Sequence, residues 1–214
     1  KDPANQSYYD DFGRILLQMV PESETEAIER YQRQYIPLME KRISFFQNDS
    51  EAWKDLVNLY FDRAMIFRNS SFWEAVVEAS DRMLEQFPQE GAPNRFARDV
   101  RLLAMSKIYD LLKFNQQDQF NTELDAAVAS GSASSVIWEI ALQRRLTEAI
   151  QYKANSDKRR LAAALSEEGD GFDGLFARFL ESGEDYTPGI RDARIRRLYL
   201  MDDPPLDEVA NERA

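Results

Sequence analysis

Two stretches of this sequence carry carboxylates dense enough for acid–base or metal chemistry, "YYDDF" at 8–12 and "EEGDGFDG" at 167–174. Neighbouring residues on a helix do not face each other. Asp10 and Asp11 therefore make no acid–base dyad, and they lack the DDxxD spacing with which helical prenyl-transfer enzymes hold magnesium. The second stretch invites comparison with a calcium loop, which needs oxygen ligands at positions 1, 3 and 5 and glycine at 6. Counted from Asp170, positions 3 and 5 are Phe172 and Gly174, and position 6 is Leu175. The pattern fails, and the stretch reads as a capped turn between helices.

The chain contains no histidine and no cysteine. That removes the Ser-His and Cys-His nucleophilic systems, disulfides, and the usual zinc and non-haem iron ligand sets. Catalysis would have to rest on carboxylates, Lys, Tyr or a cofactor, and no motif for any of these is present. The expectation is no enzyme, no cofactor and no metal. Absent cysteine also fits an extracytoplasmic bacterial protein that avoids stray thiols, which is the expected compartment, with the cytoplasm as the alternative.

Positive charge is concentrated late in the chain, at Arg144, Arg145, Lys153, Lys158, Arg159, Arg160, Arg191, Arg194, Arg196 and Arg197. Glu148, Asp157, Glu167, Glu168 and Asp192 lie among them, so ion pairs within and between helices are expected rather than an anion-binding patch. Net charge is -11, and the acidic excess is spread along the chain. No part is a basic domain for nucleic acid, and anionic membrane surfaces are disfavoured. Sequons at Asn5, Asn48 and Asn69 matter only for a secreted eukaryotic protein.

The elements that would position these residues are helical. Only eight Gly and eight Pro interrupt 214 residues, and β-branched alternation is scarce. No apolar run approaches the ~18 residues of a transmembrane span. Over 8–21, Tyr9, Phe12, Leu16 and Met19 or Val20 form one stripe, ended by Pro21. Ser23 and Glu26 have capping-box spacing, and Pro37 inside the next pattern predicts a kink or break. Asp49 or Ser50 caps the following helix. Ser71 with Glu74 restarts the chain after it, and "PQEGAP" at 88–93 ends that helix. Further helical patterns follow to about residue 201. Trp53, Trp73 and Trp138 sit on apolar faces and read as core anchors. The expected organisation is one all-helical domain over 1–202, with a sub-boundary available at 130–135, and a loose acidic tail over 203–214. The chain opens at Lys1 without methionine, which fits a processed form or an excised domain.

The segment 57–90 keeps the spacing of a 34-residue helix pair. Tyr60, Ala64 and Phe67 take the apolar positions of its first helix, Val76, Ser80 and Met83 those of its second, and Pro88 closes it. This segment resembles a degenerate tetratricopeptide repeat, with Val76 larger than the usual alanine and Ser80 in place of an aromatic. A second, poorer match lies at 101–132, through Ala104, Ile108, Leu111, Phe120, Leu124 and Ala127. The expected fold class is all-α, with antiparallel helix hairpins stacked as a short tetratricopeptide-like solenoid or an irregular bundle of about ten helices. Proteins of this family bind extended peptides through the first helix of each pair. Carried over by position, the resemblance implies a groove made by Asn58, Phe61, Met65, Arg68 and Asn69, continued by Tyr109 and Lys113. The implied role is an interaction scaffold for a peptide or protein partner. Two alternatives stand beside it: an accessory lipoprotein subunit of a bacterial envelope machine, with its anchor upstream of Lys1, and a helical small-ligand-binding protein.

Overall fold

The computed structural model describes Tyr9, Ser23, Glu26 and residues 30–200 except Ser132. Tyr9 is buried and meets Phe46 edge-on at 6.2 Å; the rest of the stripe at 8–21 and the tail at 203–214 lie outside the described residues. Every regular element among the described residues is helical, and the protein is all-α. The chain divides into two compact units, Lys1–Leu112 and Lys113–Ala214.

Among its described elements the first unit has a wide π-type turn at Tyr31–Tyr35, followed by α1 (Ile36–Phe45), α2 (Ser50–Phe67), α3 (Ser70–Gln86), α4 (Ala92–Lys107) and a 3-10 turn at Tyr109–Leu111. Proline has no amide proton to donate, and its ring crowds the carbonyl four residues back. The chain meets this by widening the turn before Pro37 and starting α1 afresh, with Pro37 in its first turn. The expected break is a change of helix type. Near the start of the described chain, the Glu26 amide donates to Ser23 Oγ at 3.2 Å, as the capping spacing predicts.

Asp49 caps α2, its Oδ1 accepting from the amides of Glu51 and Ala52 at 3.0 and 3.3 Å. Arg68 ends the helix in the left-handed region, with φ 49°. That reversal leaves Asn69 as the first extended residue, so Asn69 and not Ser71 caps α3. Its Oδ1 accepts from the Ser71 amide at 3.0 Å and from Ser71 Oγ at 3.1 Å. The expected Ser71–Glu74 box is thereby corrected: Ser71 already lies inside the first turn.

In the first unit α3 packs against both α2 and α4, α4 also touches α2, and α1 lies on α2. Leu56, Val57, Met83 and Ala97 fill one core cluster with Trp53. Ala64, Val76, Ala104 and Ile108 fill another with Trp73. Small side chains at Ala64 and Ala104 let the backbones approach closely.

The second unit contains α5 (Phe114–Ala129), α6 (Ser135–Ala154), α7 (Lys158–Leu165), α8 (Phe172–Ser182) and α9 (Pro188–Tyr199). Here α6 is the hub, with the other four packed on it. The segment at 130–135 is the α5–α6 connection inside this unit; the division of the chain falls at 112/113. That division separates the two halves of the weaker repeat match. Its first helix stops at Lys107, Leu111 is 67% exposed where the repeat needs a core residue, and Phe120, Leu124 and Ala127 are buried in the other unit.

Candidate functional site

Asn58, Phe61 and Met65 recur at helical spacing along one stripe of α2, and Arg68 follows at its C-terminal end. Asn58, Met65 and Arg68 are exposed. Phe61 is half-buried and meets Trp73 of α3 edge-on at 5.6 Å, so it joins the stripe to the core. Asn69 is also exposed, but its side chain is engaged in capping α3. Tyr109 sits in the 3-10 turn of the first unit, half-buried. Lys113 is exposed and belongs to the second unit, where its amide donates to Gln116 Oε1 at 3.0 Å. Of the seven groove residues, the structure thus gathers Asn58, Phe61 and Met65 on one face of α2, with Arg68 just past its end.

Two residues absent from the expected groove enlarge that face. Ile66, 54% exposed, follows Met65, 51% exposed, and Asp62 lies one turn before Ile66. The sequence signal was present: Ile66 is apolar on the polar side of the α2 period. Partial burial pushes the Asp62 carboxyl above its ordinary range. The folded state therefore disfavours the charged form, and stability falls as pH rises through the carboxylate range. Asp62→Asn is expected to raise the melting temperature at pH 7. The gain should vanish below the ordinary aspartate pKa, where both forms are neutral; thermal melts at pH 7 and near pH 3 check it.

Beside α1 a second arrangement is closed on itself. Glu40 accepts two bonds from Arg82, at 2.7 and 2.8 Å, and the Tyr60 hydroxyl lies 3.4 Å from it. The Arg82 guanidinium stands 5.5 Å from the Trp53 ring. Burial first, and then the Glu40 charge, push the Tyr60 hydroxyl up. These groups satisfy one another and tie α1 to α2 and α3.

The second unit carries a cleft of about 170 Å³ between α5, α6 and α8, lined in part by Leu124, Asp125, Arg144, Arg145 and Arg178. An adjoining opening of about 340 Å³ is lined by Arg145, Glu148, Tyr152 and Arg160, among others. The arginines meet carboxylates. Arg144 and Arg145 both approach Glu148, at 3.4 and 2.9 Å, Arg160 lies 3.6 Å from Asp157, and Arg178 lies 2.7 Å from Asp170. Further on, Arg196 pairs with Asp192 at 2.8 Å, while Arg194 and Arg197 converge on Asp173. Lys153 Nζ donates to the Leu200 carbonyl at 2.7 Å. The late basic run is largely an ion-pair network, as the interspersed acids imply.

Of the stretch at 167–174, residues 167–171 lie in the connection from α7 to α8, and Phe172, Asp173 and Gly174 form the first turn of α8. The Gly174 amide donates to the Ser166 carbonyl at 3.1 Å, and a Cβ on Gly174 would fall 2.7 Å from the Glu167 carbonyl oxygen. Its acids Asp170 and Asp173 are held by arginines. Among the described residues no helix is long and apolar enough to cross a membrane. A scan against protein-family models finds no match, and searches of curated proteins and of solved structures find none.

Proposed function

We propose that this protein is an interaction module that docks a protein or peptide partner on the outward face of α2. The observation that carries the reading is the exposure of two large apolar side chains, Met65 and Ile66, on a helix whose opposite side is fully packed by Leu56, Val57 and Ala64. Large apolar side chains at the surface gain most from a partner that covers them. Phe61 anchors the same face through Trp73, so the surface is rigid before binding. Three further observations support a tetratricopeptide-like arrangement over 57–90: Ala64 and Val76 are buried at the close-packing positions, Met83 is buried behind them, and α4 lies against both helices of the pair.

Photo-crosslinking tests this reading. A crosslinking side chain at Met65 is expected to trap a discrete partner, whereas the same group at exposed Lys41 traps none. Identical product patterns at the two positions would contradict it.

A further inference from the structure

Among its described residues the first unit holds four buried arginines, Arg30, Arg42, Arg63 and Arg101. Three have carboxylate partners. Arg30 meets Glu26 at 2.9 Å, Arg42 meets Asp55 at 2.6 Å and Asp49 at 3.8 Å, and Arg101 meets Asp81 at 2.5 Å. Arg63 differs. Its guanidinium lies 3.9 Å from the centre of the Phe72 ring, its Nε, like that of Arg42, is enclosed without a hydrogen-bond acceptor, and among the described residues no carboxylate pairs with it. Asp62 is adjacent in sequence, and consecutive helical side chains point apart. The side chain keeps 9% exposure, so it retains an opening to solvent.

A guanidinium removed from water without a counter-ion is costly. Burial pushes it below its ordinary range, and the neighbouring Tyr60 hydroxyl opposes that shift. An aromatic face compensates part of that cost, but it gives the enclosed Nε–H no acceptor. The neighbours of Arg63 one turn away on α2 are Tyr60, Phe67 and exposed Ile66, and Phe67 in turn meets Phe72 at 5.6 Å. The surroundings are a single forked cation inside an apolar rim.

We propose that Arg63 receives the carboxylate of a Glu or Asp side chain from the docked partner, with an apolar residue beside that acid resting on Ile66. This deepens the docking reading of α2 and rests on it. One guanidinium matches one monoanionic, planar carboxylate in a bidentate pair. A phosphorylated or nucleic-acid partner calls for several cations, whereas this end of α2 offers buried Arg63 and exposed Arg68 in a chain of net charge -11.

The test is a titration of the full chain with two acetylated, amidated pentapeptides, Gly-Leu-Glu-Leu-Gly and its Gln counterpart, followed through the arginine Nε–Hε resonances. The resonance absent from Arg63→Lys identifies Arg63. The Glu peptide is expected to move that resonance and the Gln peptide to leave it in place. Arg63→Lys, which keeps the charge and loses the fork, is expected to bind the Glu peptide about tenfold more weakly. No movement with the Glu peptide, or equal movement with both, would overturn the proposal. A specific crosslink at Met65 without an Arg63 response would retain the docking face and remove the carboxylate assignment; loss of both results would remove both.

Discussion

Phe179→Ala is expected to destabilise the second unit by about 3–5 kcal/mol, the range for emptying a buried aromatic site. Phe179 is almost fully enclosed. It meets Trp138 of α6 edge-on at 6.2 Å, Phe176 at 6.1 Å and Tyr186 at 5.9 Å. It therefore joins α8 to the hub helix and to the α8–α9 connection at once. Truncation removes the transfer term and three ring contacts, and rings on three sides cannot easily collapse into the gap. Trp138 is the natural reporter, since Trp53 and Trp73 belong to the first unit. Urea titration in a Trp53→Phe, Trp73→Phe background should show the Trp138 emission transition at a clearly lower midpoint. A loss under about 1 kcal/mol would mean that this cluster is not the core of the unit.

Leu56→Ala is the corresponding change in the first unit, with an expected cost of about 2–5 kcal/mol. Leu56 is fully buried within the cluster that holds Trp53, Val57 and Met83. The helices around it are fixed by polar ties as well as by packing: Arg42 binds Asp55, and Arg82 binds Glu40. Those ties hold the walls apart, so a cavity at Leu56 persists instead of closing, and the cost lies in the upper part of the range. Urea unfolding followed through Trp53 checks it, and an unchanged midpoint would contradict the packing described for α2.

Local chemistry was the most legible part of the fold. Asp49 is an N-cap because an Asp side chain satisfies the free amides of a first turn, and that needs only the neighbouring sequence. The effect of Pro37 is equally local. The inward positions Ala64, Val76 and Met83 came with the resemblance to a repeat hairpin, whose packing positions keep the helical period. Asn69 was harder, because its capping role depends on Arg68 taking a left-handed conformation, which nothing in the sequence demands of an arginine. The division at 112/113 was not legible, since "KIYDLLKF" reads as continuous helix. The chain instead leaves the helix after Lys107 and exposes Leu111 and Phe114. The candidate site was half legible. Asn58, Phe61 and Met65 share a stripe because spacing dictates it, but the pairing state of Arg63 depends on side chains from other helices. Twenty of the 27 basic residues are Arg, and composition does not single out the buried one without an acid.

The central claim is that the outward face of α2 is a docking surface. It is tested most directly by titrating the partner trapped at Met65 into the wild type and into the Met65→Glu, Ile66→Glu double variant, with calorimetry as the readout. Both substitutions sit at exposed positions, so the melting temperature of the variant should stay near that of the wild type. The expected result is a Kd at least about tenfold weaker for the variant, as for loss of an apolar anchor. Equal affinity for the two proteins would contradict the claim.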